Sequence, residues 1–145
     1  MRQQYETEID RKNEKTLALH FIKSKWPGLN LYPKKLPISY IVDYAVVQAE
    51  TLKIASFFEA KTRTCGVNDF QTYMISLTKI LQFHKLQKAT GIPCCLVVGW
   101  SDDARFWKFI PGAYEIKYGG RTVQTRDSAD IEPVAHIPIK DFSRI

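Results

Sequence analysis

Cysteine is scarce in this chain, and long apolar runs are absent. The three cysteines form no C-x-x-C pair, because Cys65 stands alone while Cys94 and Cys95 are neighbours. This spacing excludes a disulfide framework and a zinc knuckle. No stretch approaches the ~18 uninterrupted apolar residues of a membrane helix, and the N-terminal segment carries too much charge for a signal peptide. These absences predict a soluble, cytoplasmic protein.

Several common catalytic signatures are also missing. The chain has neither a GxxxxGK[ST] nor a GxGxxG motif, so it lacks the glycine-rich loops that commonly bind nucleotide phosphates. His20, His84 and His136 are too dispersed for metal-ligand spacing. Cys95 lies in an apolar run, which favours an inert buried thiol over a nucleophile. Nucleotide-driven, zinc and cysteine chemistry are therefore disfavoured.

The chain does carry a substantial hydrophobic content and an excess of positive charge. Its 145 residues are 45% hydrophobic, with a formal net charge of +6. This length suits one domain over residues 1–145 with its own core. Acidic and basic residues balance over residues 101–145, so the excess lies within residues 1–100. A local excess of Lys and Arg suits a polyanion such as nucleic acid, although many basic proteins have no such partner.

Hydrophobic spacing predicts the order helix, hairpin, helix, strand, and then small β additions. Pro27 and Gly28 would end the first helix, and Gly91 would follow the second. The hairpin strands are rich in β-branched and aromatic residues. The predicted ranges are 7–26 for the first helix, 38–47 and 52–61 for the hairpin, 69 or 70 to 90 for the second helix, 93–100 for a strand inside the sheet, and 104–110 for the next strand.

The second helix and the C-terminal segment carry further expectations. Asn68 or Asp69 would cap the helix. One face of the helix, which includes Leu81, would be buried because its apolar residues recur at three-and-four spacing. Residues 114–118 and 121–125 predict an exposed hairpin around two glycines. The prolines of the tail predict an extended segment at a sheet edge. The other residues of the expected buried face are Phe70, Tyr73, Met74, Leu77, Ile80 and His84.

Charged residues in the hairpin form the most informative pattern. Side chains alternate along a strand, so Glu59 and Lys61 share one face while Phe58 and Ala60 take the other. A register in which paired positions sum to 102 sets Asp43 opposite Glu59. Facing carboxylates repel one another unless a cation or proton lies between them, which points to a hard divalent metal.

Each of these charges taken singly is compatible with an ordinary solvated strand face. Taken together they need another reason, because both hairpin strands are otherwise apolar on both faces. Glu14 strengthens the pattern, since a helical wheel places it beside Leu17, Ala18 and Phe21 on the apolar stripe of the first helix. Three acids therefore lie on faces that would otherwise be buried.

An acid on the first helix, Asp43 in the hairpin and then Glu59-Ala60-Lys61 is a pattern that resembles the PD-(D/E)XK nuclease superfamily. Val42 stands where the eponymous proline of that motif would be. Over residues 5–100 the chain looks most similar to phage and bacterial members related to Holliday junction resolvases and VRR-NUC nucleases. The resemblance implies an α/β, restriction-endonuclease-like fold, with a central mixed sheet flanked by helices in the order α-β-β-β-α-β. The core would span about residues 5–110, and residues 111–145 would form a C-terminal β extension.

The resemblance also implies hydrolysis of DNA phosphodiester bonds with Mg²⁺ or Mn²⁺, in a bacterial cell or a phage-infected host. Asp43, Glu59 and the main-chain carbonyl of Ala60 would hold the metal. Lys61 would orient the attacking water or neutralise charge in the transition state. Glu14 would help through a metal-bound water or through a hydrogen bond to Lys61.

Contacts with the DNA backbone would come from basic residues around this site. Arg63, Lys34, Lys35 and the basic residues of the first helix are the candidates. Lys79 or Gln82 would be the polar helix residue that follows the E-x-K strand in many family members, and a plain surface role is equally open for both. Tyr40 and Tyr73 fit either base stacking or core packing, and packing is the commoner role.

Two other classes of function remain open at this stage. The chain could keep the fold without catalysis, as a nucleic-acid-binding or protein-interaction module. It could also be an unrelated enzyme or structural domain, which would place Asp43 and Glu59 on opposite sides of the sheet. Junction-cutting relatives usually act as symmetric dimers, so the resemblance raises a homodimer as one arrangement and leaves the oligomeric state and the DNA structure open.

Overall fold

The computed structural model of the protein describes residues 8–119 and 132–145. Two helices, nine strands and one short 3₁₀ helix lie within these ranges. The elements are α1 Glu8–Lys25, β1 Leu31–Lys35, β2 Tyr44–Gln48, β3 Ile54–Thr62, β4 Thr72–Ser76, α2 Leu77–Thr90, β5 Cys94–Gly99, β6 Ala104–Lys108, β7 Glu115–Tyr118, β8 Pro133–Pro138, the 3₁₀ helix Ile139–Asp141 and β9 Ser143–Arg144.

The strands form a larger mixed sheet and a smaller one. Six strands make the main sheet in the order β1-β2-β3-β5-β6-β9. Its neighbours are antiparallel except β3 and β5, which run parallel across the α2 crossover. Three further strands form the second sheet in the order β4-β8-β7. The predicted fold class, a central mixed sheet with flanking helices and extra C-terminal strands, is confirmed.

Alternation along β3 divides the core into two layers. Phe58 and Ala60 pack with α1, where the Phe21 ring meets the Phe58 ring edge-on at a centroid distance of 5.1 Å. Phe57 faces the other way, into the layer that holds α2 and the second sheet. Cys94 and Cys95 are both buried, one in each layer, as expected for a central strand. The predicted division of faces in the hairpin is therefore confirmed.

The hairpin register is also confirmed. Tyr44 pairs with Phe58, and the next two pairs keep the sum of 102 before a bulge shifts Val47 opposite Ile54. The first hairpin strand, β2, begins at residue 44 and not at 38, because residues 36–43 form the loop between β1 and β2. In that loop Leu36 N–H donates to Asp43 O at 2.8 Å.

Strand β1 was absent from the sequence-based prediction, because Pro33 in its middle argues against a strand. A proline cannot donate to a ladder, so it is tolerated where one side of the strand has no neighbour. The edge position of β1 in the main sheet provides that situation.

The prediction for the start of α2 was wrong. Residues 72–76 form β4, and the helix begins at Leu77 with Ser76 as N-cap, whose side chain accepts from Thr78 N–H at 3.2 Å. Asp69, a predicted cap, instead accepts from Gly66 N–H within the preceding loop. The cause is tertiary, since β4 pairs with β8, which lies about 60 residues further along the chain. The C-terminal end was predicted correctly, with Gly91 in a left-handed conformation at φ 71°.

The buried face of α2 also differs from the prediction. Ile80, Phe83 and Leu86 are buried, whereas Leu81 is 58% exposed and His84 is exposed. The error follows from the predicted start of the helix, which was too early. The predicted face was defined with Phe70, Tyr73 and Met74, and none of these residues is helical. None of the helices in the described ranges is long and apolar enough to cross a membrane.

The C-terminal segment is extended, as predicted, but its longer strand, β8, is not at a sheet edge. Strand β8 is the central strand of the second sheet, with a proline at each end and with Val134, Ala135 and His136 paired on both sides. Strand β7 pairs with β8, while the predicted partner segment 121–125 lies outside the described residues. Residues 143–144 then return to the main sheet as β9 beside β6.

The corrected face of α2 yields a stability prediction. Phe83→Ala should lower the free energy of unfolding by about 3–5 kcal/mol, because a fully buried ring would leave a cavity between α2 and the sheet. The control Leu81→Ala should change it by no more than ~0.5 kcal/mol, because Leu81 faces solvent. Urea denaturation of both variants measures the two values. A larger loss for Leu81→Ala would show that the helix buries the other face.

Candidate active site

The acidic pair lies where β2 begins and β3 nears its end. The β2–β3 ladder ends at the Tyr44–Phe58 pair, two residues before Ala60. Beyond that point the Asp43 side chain takes the place of a strand neighbour, and its Oδ2 accepts from Ala60 N–H at 3.1 Å. This hydrogen bond fixes Asp43 against β3, directly beside Glu59.

The direction of the Ala60 carbonyl follows from the backbone bonds of β3. Phe57 N–H donates to Pro93 O and Arg63 N–H to Gly99 O, so the odd-numbered residues direct their amides toward β5. In an extended strand the N–H and C=O of one residue point to the same edge, and that edge alternates. Ala60 therefore directs its carbonyl toward the edge that Asp43 occupies.

Glu59 is a buried carboxylate held by a lysine from α2. Its side chain is 3% exposed, and its Oε2 lies 2.9 Å from Lys79 Nζ. The same Nζ donates to the main-chain oxygen of Ile41 at 2.6 Å. Of the two polar helix residues that the sequence left open, Lys79 thus contacts an acid of the site. Gln82 lines the adjoining cleft.

The surroundings of Glu59 make its charge costly. Burial is the main cause of a raised pKa, and the negative charge of Asp43 raises the pKa further. The charges of Lys79 and Lys61 act in the opposite direction but do not cancel the rise. A cation placed between the two carboxylates would relieve both their desolvation and their repulsion.

Lys61 near the end of β3 and Arg63 just beyond it line an open cleft. The cleft has a volume of about 690 Å³ and lies between β3, β4, the start of α2 and the loop before β2. It is lined by the cations Lys61, Arg63 and Lys79, by the acid Glu132, and by Ile38, Tyr40, Tyr73, Met74, Ile75, Ser76, Thr78 and Gln82. The predominance of cations suits a phosphate group.

Glu14 and Lys35 form a second set of charges on the other side of Asp43. Lys35 Nζ lies 2.5 Å from Glu14 Oε1 and 3.8 Å from Asp43 Oδ1. Glu14 was expected to act through a metal-bound water or through a hydrogen bond to Lys61. Its carboxylate pairs with Lys35, and the bond to Lys61 does not form because α1 packs on the opposite face of β3, against Phe58 and Ala60. Lys35, expected at the DNA backbone, instead bridges two acids, while its neighbour Lys34 is exposed on the edge strand.

Arg63 is positioned by a tyrosine from the second sheet. Its Nη2 donates to Tyr73 Oη at 2.6 Å, and its guanidinium carbon lies 4.8 Å from the centre of that ring. Burial raises the pKa of Tyr73 to about 12. Tyr73 is therefore a packing residue that orients Arg63, whereas Tyr40 is exposed at the cleft.

Sequence reasoning missed the partners of Lys35 and the role of Tyr73. The Lys35 contacts depend on β1, which the sequence pattern does not predict because of Pro33. The position of Tyr73 depends on β4, which the sequence pattern assigns to a helix. In β4 only Tyr73 and Ile75 are buried, an alternation typical of a strand, but Met74 between them is apolar and hides that alternation in the sequence.

The donor atoms fit Mg²⁺ or Mn²⁺. Two carboxylates and a main-chain carbonyl are hard oxygen ligands, and Mg²⁺ ordinarily takes one or two carboxylates and keeps several waters. Over residues 8–119 and 132–145 there is no cluster of three Asp, Glu, His or Cys side chains that could hold a metal. Asp43 and Glu59 would thus bind such an ion together with the Ala60 carbonyl and water.

Comparison with known proteins adds two findings. No curated protein matches the chain. Among solved structures, it is similar to Hjc of Archaeoglobus fulgidus, a Holliday junction resolvase from an archaeal hyperthermophile, with a TM-score of 0.52 and 12% sequence identity. The alignment covers 90% of this chain and 91% of that chain, which shows a common fold.

A match to a family of sequences is more direct. The family described as "Phage putative PDDEXK endonuclease" matches residues 1–145, the whole chain. The resemblance expected from Asp43 and Glu59-Ala60-Lys61 is thereby confirmed, and these residues adjoin one another in the fold. The chain belongs to the phage PDDEXK endonuclease family.

Proposed function

We propose that this protein is a metal-dependent DNA endonuclease that hydrolyses phosphodiester bonds in structured DNA during recombination, repair or phage DNA processing. The observation that carries the proposal is the placement of Asp43 on the backbone of β3, beside buried Glu59, whose partner Lys79 lines a cationic cleft. The resemblance in fold to a Holliday junction resolvase supports structured DNA as the substrate.

Asp43, Glu59 and the Ala60 carbonyl would hold Mg²⁺ or Mn²⁺ at this position. When bound, the ion supplies a water of lowered pKa and positive charge at the phosphate. Lys61 follows Glu59 on the same strand face and donates a hydrogen bond to a phosphate oxygen or to the attacking water. Arg63, which Tyr73 holds in place, binds the neighbouring phosphate in the cleft.

The remaining charges act through the two acids. Lys79 holds one oxygen of Glu59 and so orients the other. Lys35 approaches Asp43 and is itself fixed by Glu14, so Glu14 and Lys35 are positioning residues. Gln82 lies on α2 within the cleft lining and would contact the DNA backbone together with exposed Lys34.

One observation favours an alternative, a module that binds nucleic acid or protein without cutting. Lys79 and Lys35 already lie beside Glu59 and Asp43, so both acids have some compensation from the protein itself. Metal binding separates the two functions, because a module of this kind would not need the ion. An unrelated domain with the acids on opposite sides of the sheet does not fit, since the observed register sets Asp43 beside Glu59.

The catalytic role of the acids can be tested by cleavage of labelled DNA. Wild-type protein should cut one or more of four-way junction, flap, single strand and duplex with Mg²⁺ or Mn²⁺, and none with EDTA. Asp43→Asn should lower the rate by more than ~100-fold, because a metal ligand contributes more than its supporting partners do. Lys61→Ala should also abolish cleavage without loss of the fold.

Glu50→Gln is the matched control, since Glu50 is an exposed carboxylate at the opposite end of the same hairpin. Its cleavage rate should equal that of wild type. Isothermal titration with Mn²⁺ then distinguishes the outcomes. Metal binding without cutting would point to a missing substrate, whereas DNA binding with no metal binding would establish the non-catalytic module and end the proposal.

The raised pKa of Glu59 predicts a pH dependence of stability in EDTA. The unfolded chain releases this proton near pH 4.5 and the folded protein only at a higher pH, so the free energy of unfolding should fall between those two values and then level off. Glu59→Gln should lack this fall. Urea denaturation of both proteins from pH 4 upward measures the difference, and a difference that does not change with pH would contradict the burial of an ionisable Glu59.

Glu50→Gln again serves as control and should behave in the opposite sense. A hydrogen bond from Asn30 lowers the pKa of Glu50, so wild type should lose stability relative to this variant as the pH falls below 4.5. The homodimer stays a prediction, and sedimentation with and without DNA would test it.

A further inference from the structure

We propose that an unpaired base beside the cleaved bond leaves the DNA stack and binds against Phe70, in a pocket that adjoins the catalytic cleft. The inference rests on the proposed nuclease function and adds a substrate class. It assigns to this protein DNA that has at least one unpaired nucleotide next to the bond that is cut.

The pocket adjoins the cationic cleft. It has a volume of about 560 Å³ and shares Arg63, Tyr73 and Met74 with the catalytic cleft. Phe70, Met74 and Trp100 give it apolar walls, and Gln71 and His136 add polar groups. An apolar pocket with a few polar groups and a cation at its mouth suits a flat heterocycle attached to a phosphate.

Phe70 is a large aromatic residue whose side chain lies outside the hydrophobic core. It is 66% exposed, in the loop that precedes β4. A third cavity, of about 680 Å³, shares Phe70, Gln71, Thr72 and Ile139 with the pocket and adds Arg105 and Lys140. Phe70 thus stands between two cavities, on a path that begins at Lys61 and reaches Lys140.

Cations accompany the aromatic residue along this path. Lys61 and Arg63 lie two residues apart, about 7 Å by the rise of a β-strand. Lys140 is exposed at the far end, and Arg105 there is bound to Asp103 at 2.8 Å. Proteins that bind single strands combine a cationic groove with aromatic side chains on which bases stack. A base paired within a duplex cannot reach such a side chain until it is extruded.

The loop that presents Phe70 is fixed before any ligand arrives. Gly66 N–H donates to Asp69 Oδ2 at 2.8 Å, and Val67 N–H donates to Asp102 Oδ1 at 2.9 Å. Ile139 N–H donates to the main-chain oxygen of Gln71 at 2.9 Å. A loop held on both sides of Phe70 loses little conformational freedom on binding, so an exposed ring there can contribute its full stacking contact.

Equilibrium binding in EDTA tests the inference without cleavage. Fluorescence anisotropy would compare intact duplex, single strand, and a flap that carries one abasic site at successive positions. Wild type should bind the unpaired forms more tightly than duplex, and one abasic position near the branch should weaken binding about tenfold, the ordinary effect of losing one stacked base. Phe70→Ala should weaken binding of the flap with all its bases by a similar factor.

The decisive result is the coupling between the protein and the base. In Phe70→Ala the same abasic site should have no further effect, and Phe70→Trp, which keeps a stacking face, should restore wild-type binding. Leu29→Ala is the matched control, because Leu29 is 62% exposed in the turn before β1, at the end of that strand away from Lys35. It should bind every DNA as wild type does.

Failure of this inference differs from failure of the proposed function. DNA that is bound and cut, but with equal abasic effects in wild type and Phe70→Ala, would overturn the base pocket and leave the nuclease intact. Tighter binding of intact duplex than of any unpaired form would overturn it as well. Absence of binding to every DNA would remove the proposed function, and the pocket with it.

Discussion

The site depends on the burial of one ionisable group, the carboxylate of Glu59. A buried charge is tolerated only where other charges and hydrogen bonds compensate it. Lys79 from α2 and Lys61 from the same strand compensate this charge, whereas Asp43 from the neighbouring hairpin arm repels it. Each comes from a different part of the chain, so the sheet, the loop before β2 and the crossover helix must all be in place for the group to remain where it is.

The positions of Asp43, Glu59 and Lys61 relative to one another could be predicted from the sequence, because they depend on local strand geometry. The alternation of β3 and the register with β2 are local properties, and they place Asp43, Glu59 and Lys61 without knowledge of the rest of the fold. Charges in otherwise apolar strands are also conspicuous. The β2–β3 ladder ends at the Tyr44–Phe58 pair, so the side chain of Asp43, the residue before Tyr44, can accept the hydrogen bond from Ala60 N–H.

The error at the start of α2 has a physical cause, which is pairing between distant segments. Residues 72–76 carry enough apolar side chains to extend the helical pattern of α2, and only β8 makes them a strand. The edge strand β1 was missed for a different reason, because it pairs with its sequence neighbour β2 but carries Pro33, which argues against a strand. The ion pair of Lys35 with Glu14 and the contact of Tyr73 with Arg63 were therefore not accessible from local patterns.

The pairing of β4 with β8 also has a consequence for folding. Contacts between segments so far apart in the chain form slowly, because a long loop must close before they contribute any stability. Strand β4 carries Tyr73 and Met74, which form one wall of the cleft, and it has its neighbour only when residues 133–138 are available. On the ribosome, the hairpin with both acids would emerge and pair well before that wall exists. An incompletely synthesised chain would thus hold the acidic residues but not the cleft that receives DNA.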